Sequence, residues 1–162
     1  MSTNRQKSFI ATMSLWGVPV AMVQPPFNSN RMLWGQNSQH VPDKMYFRCE
    51  GDYYVIFIRS EGLHYGKTID QAGAVFVANP PAGSKTTSFN IIDNKSNNIV
   101  TLDDLRGETV EVYLKTRNGY FLTADFNYSD YPKMIRLDAP TASFQLHILE
   151  RNVPYLNNPS EI

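Results

Sequence analysis

The densest run of ligand-capable side chains is Asp125-Phe126-Asn127-Tyr128-Ser129-Asp130-Tyr131. Carboxylates and an amide can serve the paired hydroxyls of a sugar, while a planar phenol ring covers the apolar face of a pyranose. The run therefore points to carbohydrate binding through Asp125, Asn127, Tyr128 and Tyr131, on a loop, where binding residues concentrate. The competing reading has Tyr128 and Tyr131 packing the loop down and Asp125 capping a turn. Two further aromatic platforms, Trp16 and Trp34, each precede a glycine. Trp16 falls at a turn and Trp34 on a strand that lines a hairpin cap.

Other chemistries find little support. His40, His64 and His147 are far apart in the chain, and His147 alternates with Leu146 and Ile148, on the polar side of its strand. The one cysteine, Cys49, sits in alternation with Phe47 and reads as a buried thiol with nothing basic placed to ionise it. A lone cysteine excludes an intramolecular disulfide, and with three histidines it makes a poor zinc set. No Gly-x-Ser-x-Gly, His-Glu-x-x-His or phosphate-cradling glycine loop occurs. The expectation is a protein that is not an enzyme and holds no metal and no cofactor.

Charge narrows the partners. Fifteen basic and fifteen acidic residues cancel, and the lysines are scattered among acids, so nothing favours nucleic acid or an anionic membrane. The run FIATMSLWGVPVAMV after Arg5 and Lys7 superficially resembles a secretory signal. Gly17 and Pro19 interrupt it, no small-x-small cleavage site follows before Gln24, and it is too short to span a bilayer. Its residues instead match a repeat found later in the chain. The location implied is cytoplasmic, or secreted without a recognisable signal peptide.

The elements that must hold these residues are strands. The 12% of aromatic residues suits pleated surfaces. In VEVYLKT, Val110, Val112 and Leu114 share one face, and Arg117-Asn118-Gly119 supplies a tight reversal. YFLTA, KMIRLD and FQLHIL complete a four-strand unit. Two earlier units follow the same plan. The first has Phe9, Ala11 and Met13 before Gly17, Val18 and Val20, then RMLWG and KMYFRC. The second has Tyr54, Ile56 and Ile58 before Gly62, Leu63 and Tyr65, then AVFVAN and SFNIID. The turn glycine precedes the closing hydrophobe by 28 residues (Gly17 to Met45), 27 (Gly62 to Phe89) and 25 (Gly119 to Phe144). The units span about 8–50, 53–93 and 109–150 within one domain of 162 residues. Asn98 to Glu108 is an insert with an added turn or short strand, and 152–162 is a surface tail pinned by Tyr155 and Leu156. Ile56, Ile58, Phe89, Ile91, Val112, Leu114, Leu122, Phe144 and Leu146 are the expected core.

Three four-stranded units of about forty residues resemble the β-trefoil, an all-β fold in which six strands form a short closed barrel and three hairpins cap one end. Within that fold VEVYLKTRNGYFLTAD resembles the fascin-like repeat, through Val112, Leu114, Lys115, Gly119, Tyr120 or Phe121, Leu122, Ala124 and Asp125, and TASFQLHI resembles its closing strand. The ricin-type lectin signature, Gln-x-Trp, is absent from closing strands that read MYF, FNI and FQL. The resemblance implies a non-catalytic recognition module whose partner is a glycan. The aromatic-carboxylate loop and a neighbouring tryptophan would form the site. The loop equivalents in the other units, Gln24 to Arg31 and Thr68 to Gly73, differ in chemistry, so such a site is not threefold. The alternative is a protein ligand: actin or other cytoskeletal binding, or protease inhibition through the proline-stiffened loop Asn79 to Lys85.

Overall fold

The computed structural model describes residues 3–4, 6–23, 33–36, 41–124, 133–137 and 142–153. They are all-β: among them only two single-turn 3-10 segments, Gly83–Lys85 and Leu102–Asp104, are helical. The strands are β1 (Phe9–Leu15), β2 (Val18–Val23), β3 (Leu33–Gln36), β4 (Met45–Glu50), β5 (Tyr53–Ile58), β6 (Thr68–Ala72) and β7 (Val75–Asn79). They continue as β8 (Phe89–Asp93), β9 (Ile99–Val100), β10 (Thr109–Thr116), β11 (Leu122–Ala124), β12 (Lys133–Leu137) and β13 (Phe144–Arg151).

Six of them close a barrel. β1 pairs with β4, β4 with β5, β5 with β8, β8 with β10, β10 with β13, and β13 returns to β1, each antiparallel. Closure leaves no open sheet edge in the ring, which is how a short-stranded sheet satisfies its backbone groups. The remaining long strands form hairpins: β2 with β3, β6 with β7, and β11 with β12. Strands β3, β7 and β12 then pair with one another.

Period-two alternation decides which side chains enter the barrel. Phe9, Ala11, Met13 and Leu15 of β1, Val112 and Leu114 of β10, and Phe144 and Leu146 of β13 are buried in one core. All nine residues expected in the core belong to it. Phe9 stacks on Phe47 with centroids 4.6 Å apart, and Tyr54 meets both rings edge-on. A second aromatic group joins Trp34, Phe76 and Phe89. Cys49 is fully buried, as its alternation with Phe47 implied. The insert carries a two-residue strand, β9, and a 3-10 turn that sinks Leu102 and Leu105 into the core. The tail beyond Val153 lies outside the described residues.

One strand differs from the sequence reading. The second strand of the middle unit is not the Gly62-Leu63-Tyr65 segment: that segment is a turn in which Leu63 is 83% exposed. The strand is β6, in the stretch read from sequence as a loop. TIDQA has one aliphatic side chain longer than alanine, so no alternation marks it. Its buried polar groups are nevertheless matched. The Asp70 carboxylate accepts the Thr87 N–H at 2.9 Å and the Thr68 hydroxyl at 3.2 Å. The β6–β7 turn has two residues, with Gly73 at φ 67° in the first position, as a type II′ turn requires.

Candidate functional site

Asp125, Asn127, Tyr128 and Tyr131 lie outside the described residues. Their flanks are defined. Leu122, Thr123 and Ala124 pair with Leu137, Arg136 and Ile135, so the segment joins the two strands of a hairpin. Lys133 pairs with Gln36 and Met134 with Gly35, which sets the β12 end of that hairpin beside β3.

The two tryptophans have different fates. Leu15 pairs with Val18, so Trp16 and Gly17 form a two-residue hairpin turn with φ of 54° and 77°. Positive φ at both positions is the type I′ arrangement, which favours Asn or Gly in the first. A left-handed backbone costs a residue with a bulky side chain about 1–2 kcal/mol. This chain holds a tryptophan there, 49% exposed. Trp34, by contrast, is completely buried, edge-on to Phe76 at 5.8 Å and Phe89 at 6.3 Å. It is a core residue and presents no face to a ligand. Its indole N–H meets no acceptor among the described residues.

Trp16 sits in the turn two residues beyond Ser14, which belongs to a row of polar side chains across β1, β13 and β10. The pleat that turns Met13, Leu15, Phe144, Leu146 and Val112 inward turns Ser14, Gln145, His147 and Glu111 to the other face, on which Ser14 is itself covered and buried. Register brings them together: Ser14 opposes Gln145, and Gln145 opposes Glu111. The Ser14 hydroxyl donates to Gln145 Oε1 at 3.0 Å and faces His147 Nε2 at 3.4 Å. On the other side of the ring, His147 Nδ1 lies 3.1 Å from the Thr109 hydroxyl. Gln145 Nε2 donates to Glu111 Oε1 at 3.5 Å, and Asn94 Nδ2 donates to Glu111 Oε2 and Ser143 Oγ, both at 3.3 Å. Behind the His147 ring stands the Thr109 hydroxyl rather than a carboxylate. Gln145, His147 and Glu111 share one alternation signal in the sequence, but their partnership depends on register.

The other sequence candidates are dispersed. His40 lies outside the described residues, and His64 is in the turn between β5 and β6, with Lys67 Nζ 3.5 Å from its Nδ1. Burial and the Lys67 charge hold the His64 imidazole below its ordinary pKa. Burial pushes the Cys49 thiol up. No group of three metal-ligating side chains occurs among the described residues. Among the same residues, no helix is long and apolar enough to cross a membrane. The loop from Asn79 to Lys85 is exposed along its described side chains and tied internally: Ala82 N–H donates to Thr86 Oγ1 at 2.9 Å, and Thr86 N–H to Gly83 O at 3.1 Å. Compared with protein-family models, curated proteins and solved structures, the chain matches none.

Proposed function

We propose that the protein is a non-catalytic, lectin-like recognition module of β-trefoil architecture that binds carbohydrate. The ring of six strands with three mutually paired hairpins supports the trefoil reading, each unit supplying two barrel strands and one hairpin. The observation that carries the functional reading is Trp16, half exposed on a left-handed backbone in the turn that follows Ser14 of the Ser14–Gln145–Glu111 row. The indole supplies the apolar platform for a pyranose ring. The Gln145 amide and the Glu111 carboxylate supply donors and acceptors for its hydroxyls. Asp125, Asn127, Tyr128 and Tyr131 form a second recognition element on the β11–β12 hairpin. Trp34 drops out of the site because it is buried.

A glycan array tests the reading, followed by Trp16→Ala and by the double variant Tyr128→Ala/Tyr131→Ala. Binding lost in Trp16→Ala supports the outer-face site. Binding lost only in the double variant moves the site to the hairpin loop. An array on which nothing binds ends the carbohydrate reading.

A second reading rests on the loop from Asn79 to Lys85. Pro80 and Pro81 stiffen it, and its internal hydrogen bonds reduce the entropy lost on docking. It would serve a protein partner, as a cytoskeletal contact or in a protease cleft. F-actin co-sedimentation and a protease-inhibition panel separate this reading from the first.

A further inference from the structure

The polar row does not end at Glu111. Asn94, Thr109 and Glu111 also line a cleft of about 440 Å³ between the β8–β9 turn, the Leu102–Asp104 turn and the start of β10. The row crosses three neighbouring strands before reaching it, a distance of about 10 Å at the usual strand spacing. That is wider than a single six-membered ring.

The cleft has mixed charge. Its carboxylates are Asp93, Asp104 and Glu111, and its cations are Lys95 and Arg106. The acids already hold the walls: Asp93 accepts from the Ser96 hydroxyl at 2.8 Å and its N–H at 3.2 Å, and Asp104 accepts from the Thr101 N–H at 3.0 Å. The Ser96 bonds hold the Asp93 carboxyl below its ordinary pKa. A ligand of either charge entering the cleft meets like charge inside it. Hydroxyl groups do not, because each can donate to a carboxylate and accept from an ammonium or guanidinium.

We infer that the site takes a neutral oligosaccharide of at least two units, one beside Trp16 and Gln145 and the next in the cleft against Asn94, Thr109 and Arg106. The inference rests on the carbohydrate reading above and adds to it the length and charge of the ligand. A neutral chain is selected over an acidic one because the cleft's three carboxylates outnumber its two cations, and a chain over a single sugar by the second set of contacts.

The test is calorimetric titration of the intact protein with matched probes: galactose, N-acetylglucosamine and mannose, their neutral di- and trisaccharides, and sialylated or uronic-acid counterparts. The expected result is that at least one neutral di- or trisaccharide binds tenfold or more tightly than its terminal monosaccharide, and more tightly than its acidic counterpart. Arg106 and Lys95 are exposed, so Arg106→Ala and Lys95→Ala should fold; together they should remove the gain from chain length and leave monosaccharide affinity within twofold. Equal affinity for one and two units, preference for the acidic probe, or a length gain that survives both cleft substitutions overturns the inference. If sugar binding is still lost in Trp16→Ala, those same results leave the carbohydrate reading standing. No binding by any probe overturns both.

Discussion

Tyr54 is the point at which the insert, the barrel and the amino-terminal turn are joined, and Tyr54→Phe tests how much that junction contributes. Its hydroxyl accepts the buried Leu102 N–H at 2.9 Å and donates to Lys7 O at 2.9 Å. The ring is fully buried and edge-on to Phe9 and Phe47, contacts that phenylalanine keeps. Only the oxygen is removed. Each lost hydrogen bond contributes about 0.5–1.5 kcal/mol, and a buried N–H left without an acceptor costs about 1–3 kcal/mol. Tyr54→Phe should therefore lose about 2–4 kcal/mol. With a urea slope of about 2 kcal/mol per molar, the unfolding midpoint falls by about 1–2 M. Amide exchange gives the local readout: the Leu102 N–H, slow in the parent, should become fast in the variant. Burial also pushes the Tyr54 phenol well above the ordinary tyrosine range, so the variant should keep the parent's native tyrosine titration. A stability loss under about 0.5 kcal/mol with the Leu102 amide still protected would refute the reasoning.

Three further outcomes follow from the core and the turns. Trp34→Ala should cost about 3–5 kcal/mol by cavity formation. Trp34→Phe should cost much less, because it also removes an indole N–H that lacks an acceptor among the described residues; equal losses in urea unfolding would contradict this. Cys49 should react with a thiol reagent only at the rate of unfolding, since it is buried and its thiol is shifted away from ionisation; rapid labelling of the folded protein would contradict that. The depressed His64 pKa means that the folded state resists protonation more than the unfolded chain does. Its contribution is thus present above the ordinary histidine pKa and is lost as pH falls from there through the folded value. Urea midpoints measured down that range should fall less steeply in His64→Gln than in the parent.

Local pattern was enough for the faces of the barrel strands. Alternation in β1, β10 and β13 told which side chains turn inward, and the positive φ at Gly119 follows from the reversal that Arg117-Asn118-Gly119 imposes. These properties depend on near neighbours in the chain, which the pleat and the turn read directly. Strand β6 was not legible, because its burial is stabilised by an Asp70–Thr87 hydrogen bond rather than by apolar alternation. Tertiary structure also separated two tryptophans that look alike in sequence. Each precedes a glycine, yet one turn leaves Trp16 half exposed while the packing of Phe76 and Phe89 encloses Trp34. The polar row is tertiary in the same sense. Ser14 and Gln145 are 131 positions apart and meet only because barrel closure brings β13 back to β1. Their hydroxyl and amide were present in the sequence as two polar residues; the register of closure made them part of one row.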